Sequence, residues 1–219
     1  MRKWVLVLAA VALTAGCAVK RDPPVSDERI VNATYKHPAP PELTLYTMIS
    51  NDNGAGAHTS LMINASQRVI FDPAGSFRDK AIVARDDVVY GVTPYVEDVY
   101  TRFHARKTYH VVIQRMQVTP EVAEKALQLA KGYGEVIDGH CAQSTSTILS
   151  QLPGMDINPT YFPKKLMDQF GQKPLLSTQS LYEYDDEDRF KVLREYDPDE
   201  ARKNFADLKA RQAAEARTE

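Results

Sequence analysis

Three apolar runs punctuated by single polar residues open the legible part of the chain: LTLYTMIS (43–50), HTSLMIN (58–64) and RVIFD (68–72). Their β-branched and aromatic content favours strands. The loop NDNGAGA (51–57) separates the first two, and Ala65 to Gln67 turn the chain into the third. Short strands joined by short polar turns read as an antiparallel meander over residues 43 to 72.

The period then changes. PYVEDVYTRFHAR, near 94–106, reads as a helix with Thr93 as N-cap and Pro94 at its first position. A fourth strand lies within KTYHVVIQRMQV (107–118). The next segment, TPEVAEKALQLAKGYG, has Thr119 as N-cap, Pro120 behind it and Glu121 near the positive helix end. Val122, Ala126, Leu129 and Tyr133 fall at helical spacing, and Gly132 or Gly134 can end the helix. GHCAQSTSTIL (139–149) then predicts a short helix with Cys141 in its first turn and Asp138 as its cap. Pro153-Gly154 terminates it. Pro159, Pro163 and Pro174 leave little regular structure in 155–182. The end of the chain begins with Asp197 and Pro198 and carries dense charge around Phe205 and Leu208, which reads as a solvated helix or a partly disordered tail. The fold class these elements predict is α+β.

The first residues change the picture of where this domain works. Arg2 and Lys3 precede an apolar stretch, Trp4 to Ala12, too short to span a bilayer comfortably. Small residues then lead to Cys17, which is secretory signal architecture. The ending LTAGC resembles the lipobox of bacterial lipoproteins, which implies a signal peptide over 1–16 and lipidation of Cys17. An ordinary signal peptide cut near Ala15 is the alternative. Residues 17–42 are rich in proline and polar groups and read as a lipidated N-terminus and tether. The folded domain is then 43–182 and the charged tail, helical or partly disordered, 183–219. Ala18 is not aspartate, which by the same resemblance points to the outer rather than the inner membrane, with the domain facing the periplasm.

Charge and cysteine count narrow the chemistry. The chain of 219 residues has 27 basic and 29 acidic side chains, and removing 1–16 takes away two basic groups and no acid. A mildly acidic domain gains nothing from phosphate attraction, so nucleic acid is not an expected partner. If Cys17 carries lipid, Cys141 is a lone thiol in an oxidising compartment and has no disulfide partner. Such a thiol is either an inert buried hydrophobe or a nucleophile. At a helix N-terminus, unpaired N–H groups and the macrodipole favour the thiolate and can hold an oxyanion. A nucleophile there needs a base. Of five histidines, His37 lies in the tether, His104 reads as solvated on a charged helix face, and His110 reads as packed in a strand. His140 adjoins the thiol but points elsewhere from a helix, so it and Tyr133 are assigned to the substrate cleft. His58 opens an apolar strand behind a glycine-containing loop, where a ring can be held rigidly at a sheet end. The histidines lack ligand spacing such as H-x-x-x-H, so no metal and no cofactor are expected.

AHTSLMINASQRVIFDPAG followed much later by GHCAQSTSTIL resembles the circularly permuted branch of the NlpC-type papain-like cysteine hydrolases, a branch shared with lecithin:retinol acyltransferase-like proteins. The resemblance covers roughly residues 43 to 152. It implies a permuted papain-like fold, an antiparallel sheet packed against a helix that carries the cysteine. It also implies Cys141 as nucleophile, His58 as base and Asp72 as the residue orienting the imidazole. Many relatives carry histidine, asparagine or glutamine at the third position. Asp72 could instead cap the DPAG turn, leaving Asn64 as a fallback. The expected activity is hydrolysis of amide bonds in cell-wall peptides. The alternatives are a lipid or thioester acyl hydrolase or transferase of the same fold, and a non-catalytic envelope lipoprotein that binds partners.

Overall fold

The computed structural model describes residues 25–197 and, beyond them, 199–201, 203, 206, 207 and 210. The expected signal segment, Cys17, Pro198, Phe205 and Leu208 lie outside these residues. Among the described residues no helix is long and apolar enough to cross a membrane.

The three expected meander strands are present as β1 (Glu42–Ser50), β2 (Gly56–Asn64) and β3 (Arg68–Phe71). Two short strands follow, β4 (Ala84–Arg85) and β5 (Val88–Tyr90), then β6 (Tyr109–Gln117) and β7 (Ser177–Leu181). They form one sheet in the order β4-β5-β3-β2-β1-β6-β7, every pair antiparallel. β1 sits between β2 and β6 and is buried along its length, because helices cover both faces. A strand so placed reads as a nearly continuous apolar run rather than a clean alternation.

The two faces bury different helices. Leu43, Leu45, Leu61, Ile63 and Phe71 point into one core with Ala126 and Leu127 of α3 (Pro120–Lys131), Ile148 and Leu149 of α4 (Cys141–Ser150), and Leu166 and Phe170 of α5 (Pro163–Gly171). Tyr46, Met48, Met62 and Ile70 point the other way, against Val96, Val99, Tyr100 and Phe103 of α2 (Pro94–His104). Full burial of a side chain such as Leu61 or Ile63 contributes about 1.5–3 kcal/mol. Thr93 and Thr119 cap α2 and α3 as expected, accepting from Val96 N–H and Val122 N–H.

A buried charge cluster fixes α2 on the sheet. Glu97 of α2 takes Arg68 from β3, Arg115 from β6 and the Tyr46 hydroxyl of β1 at 2.9 Å. Burial pushes the Glu97 carboxyl up, but the two guanidiniums hold it below its usual range. Breaking a buried pair of this kind costs about 3–5 kcal/mol. The clamp sets which α2 residues lie over β2 and β3 one turn further on.

Three expectations about the ends of the domain need correction. The tether read over 17–42 is not free beyond residue 25. Asp27–Ala33 form a helix, α1, capped by Ser26, with Ile30 in the core, and Tyr35 is fully buried. Proline-rich composition concealed two apolar anchors. Residues 155–182 contain α5 and β7; Pro163 begins α5 because the first helical turn needs no N–H from it. The charged tail read over 183–219 contains α6 (Phe190–Glu195), which packs Val192 and Leu193 into the α2-side core; the solvated helix expected from Asp197 lies largely outside the described residues.

Candidate active site

His58 lies near the start of β2, where the β1–β2 register shifts and leaves Ala57 unpaired. A bulge at a sheet end re-aims the side chain beside it. His58, Ser60 and Met62 alternate onto the α2 face, and Asp72, one residue past β3, lands on that face too. The ring Nε2 of His58 is 2.8 Å from Asp72 Oδ1. The same oxygen accepts the Tyr100 hydroxyl at 2.8 Å. Tyr100 has one hydroxyl proton, so with that proton on the carboxylate, its 2.6 Å contact with Ser60 is filled by the serine's own.

The turn after Asp72 does not consume its side chain. Gly75 N–H donates to the Asp72 carbonyl at 2.9 Å, with Pro73 at the second position and Ala74 at φ +54° in the third. That is the pattern of a type II turn, with alanine in a conformation usually reserved for glycine. Asp87 ties the turn down: its Oδ2 accepts from Ala74 N–H at 3.1 Å and from Val136 N–H at 2.8 Å. One buried carboxylate thus links the Asp72 turn to the segment leading into Cys141. Gly75 is required for a different reason, since a Cβ there would overlap the Asp72 carboxylate.

Cys141 starts α4, which packs across β2 on the opposite face, and the two layers meet at the end of that strand. The thiol is buried, and His58 and the backbone N–H groups of Thr59 and Ala142 lie near enough to act on its ionisation. With Asp72 on Nε2, Nδ1 is the ring nitrogen left for sulfur. His140, not Asp138, occupies the N-cap position, and no side chain caps the helix. Asp138 contributes only its carbonyl, 3.1 Å from His140 Nδ1. The first-turn N–H groups of α4 are therefore not taken by a side-chain cap.

Electrostatics follow from this packing. Burial pulls the His58 pKa down, but hydrogen bonds to Asp72 and Cys141, and their charge, lift it to about 10. Burial pushes Asp72 up, and the His58 hydrogen bond and charge outweigh it, leaving the carboxyl at about 2. Cys141 shows the same contest: burial raises it, while His58 and the two N–H groups bring it below the usual thiol value. All three shifts favour thiolate, imidazolium and carboxylate together.

His104 overturns its expected role. It is buried beneath His58, ring centroids 5.9 Å apart and nearly parallel, and its Nδ1–H donates to the Tyr100 carbonyl at 2.9 Å. Burial holds it at about 4, so it is neutral and does not repel the His58 imidazolium. His58, Asp72 and His104 can each turn one ligand atom to within 4.8 Å of the others. Absence of H-x-x-x-H spacing therefore did not preclude a metal-sized cluster. In this arrangement Asp72 Oδ1 is already shared by His58 and Tyr100.

The two residues expected in the cleft differ in their surroundings. Tyr133, half-buried just past the end of α3, packs on Phe71 with centroids 5.5 Å apart, against the edge of the core. Helical periodicity placed it on the apolar stripe of α3, but the helix ends at Lys131, so only its contact with the core was anticipated. His140 stays beside the thiol, edge-on to the exposed Tyr161 ring. Asn64 lies at the far end of β2 and donates to the Ala39 and Pro40 carbonyls, so it is not an alternative to Asp72. Sequence reasoning missed Tyr100, His104 and Asp87. The i, i+4 spacing of Tyr100 and His104 on a helix was the available signal. Nothing local marked Asp87. No known protein-family model, no curated protein and no solved structure matches this chain.

Proposed function

We propose that the chain is a lipid-anchored cysteine hydrolase of the cell envelope, with a permuted papain-like fold, acting on amide bonds of cell-wall peptides. The observation that carries the reading is that Asp72 holds the His58 ring at 2.8 Å while the buried Cys141 thiol, from a third element, lies close enough to His58 for each to shift the other's ionisation. Inert buried thiols have no reason to be polarised in this way.

In the proposed reaction the Cys141 thiolate adds to the scissile carbonyl carbon, and the electron pair moves to oxygen. Uncapped N–H groups at the start of α4 stabilise that oxyanion. The carbon–nitrogen bond then breaks as the His58 imidazolium gives its proton to the departing amine. A thioester remains on Cys141. Water attacks it, His58 takes a water proton, and the free acid leaves with the thiolate restored. Asp72 keeps the Nδ1 face of the ring turned to sulfur throughout.

Digestion of purified sacculi by the chain, read by mass of the released fragments, tests the activity and substrate class together. New termini at peptide amides, absent with Cys141→Ser, are expected. Release of fatty acid from added lipid esters instead would move the chain to the acyl-ester reading. No product of either kind would leave a binding lipoprotein. Loss of membrane fractionation in Cys17→Ser tests the anchor.

A further inference from the structure

A cavity of about 660 Å³ opens beside the site, and His58, His104, Phe103, Arg189 and Phe190 are among the residues that line it. Cys141 is not among its lining residues; His58, which acts on the thiol, is.

Charge in the cavity wall is unevenly matched. Arg106 is held by Glu183 and Asp185, Glu187 pairs with Lys107 at 3.2 Å, and Asp188 pairs with Arg194 at 2.6 Å. Arg189 has no carboxylate partner among the described residues. Its guanidinium carbon instead lies 5.4 Å from the Phe103 ring centroid and 5.3 Å from that of Phe190. Stacking on two rings holds the fork in place while its N–H donors stay available. The Arg189 charge also reaches His104 and adds slightly to what keeps it neutral.

Reaction chemistry says which part of a substrate would enter. Under the hydrolase reading, on which this inference rests, His58 protonates the departing nitrogen, so the leaving group lies on the His58 side of the scissile bond. We propose that this cavity is the leaving-group subsite, and that Arg189 selects amines bearing a free carboxylate, that is, amino acids or short peptides ending in one. An uncharged lipid alcohol would leave the guanidinium unmatched. A carboxylate would take it in a bidentate pair.

The subsite can be read without knowing the natural substrate. 4-Nitrophenyl acetate acetylates an activated thiol, and the acetyl-enzyme then partitions between water and an added amine. The amine must occupy the leaving-group position to compete. The mature chain is supplied with alanyl-alanine or with its C-terminal amide, and the ratio of acetylated products is measured. Because the ratio is taken after acylation, it does not depend on how fast the acetyl-enzyme forms. The expected preference for the free acid is about ten-fold or more, the effect of a hydrogen bond to a charged group. It should collapse to about one in Arg189→Gln and return in part in Arg189→Lys. A ratio near one in the unmodified chain, or a preference that survives in Arg189→Gln, overturns the inference and leaves the hydrolase reading standing. Failure of the unmodified chain to release nitrophenolate at all overturns that reading and the inference with it.

Discussion

Replacing Asp72 by asparagine separates an orienting carboxylate from a turn cap. The side chain is buried, accepts from His58 and Tyr100 through one oxygen, and has its pKa drawn from 3.8 to about 2. A depressed carboxyl contributes stability that is present above the unfolded value and lost as pH falls through the folded one. At 1.36 kcal/mol per pKa unit, that contribution is roughly 2–3 kcal/mol at pH 7 and disappears between about pH 4 and 2. The amide oxygen can keep both hydrogen bonds, so the shape survives while the charge is lost. Asp72→Asn should therefore lower the melting temperature by about 5–10 °C. It should also reduce turnover by about 10²–10⁴-fold, because the imidazolium loses its counter-ion and the ring its preferred tautomer. Thermal melts and turnover on the same preparation supply both readings, normalised to folded protein. A turn cap predicts a loss of only about 1 kcal/mol and unchanged activity per folded molecule. That result would remove Asp72 from the site and leave a Cys141–His58 dyad.

Three further outcomes follow from the same geometry. Alkylation of Cys141 by iodoacetamide should stay fast well below the pH at which an ordinary thiol ionises, and His58→Ala should move the rate profile upward; an unchanged profile would mean the pair does not exist. Gly75→Ala should displace the Asp72 carboxylate and lower turnover at least ten-fold while far-ultraviolet circular dichroism is kept, whereas full activity would show that the turn gives way without moving Asp72. His104, held at about 4 against an unfolded value near 6.5, binds its proton more weakly in the folded state, so stability is full above pH 6.5 and erodes by roughly 3 kcal/mol as pH falls to 4. Denaturant titrations of the chain and of His104→Phe check this; the same slope in both would place the acid sensitivity elsewhere.

The elements that sequence fixed well are those whose signals are local. β1 to β3 declared themselves by β-branched content between polar turns, and α2 and α3 by a threonine cap followed by proline. Cys141 at a helix start and His58 at a strand start were legible for the same reason, since each position depends on a few neighbours. Composition misled where a single apolar residue outweighs many polar ones, as with Ile30 and Tyr35 in the supposed tether. Periodicity could not say which polar residues of α2 face water. Glu97 was drawn inward by Arg68 and Arg115, 29 and 18 residues away in the chain, and Tyr100 by Asp72, 28 residues away, while His104 followed by donating to the Tyr100 carbonyl. Asp87 acquires its role only because two loops distant in sequence each present it an unpaired N–H. Local sequence singled out Cys141 and His58; packing of α2 on the sheet decided which groups, Tyr100 and His104 among them, surround the His58–Asp72 pair.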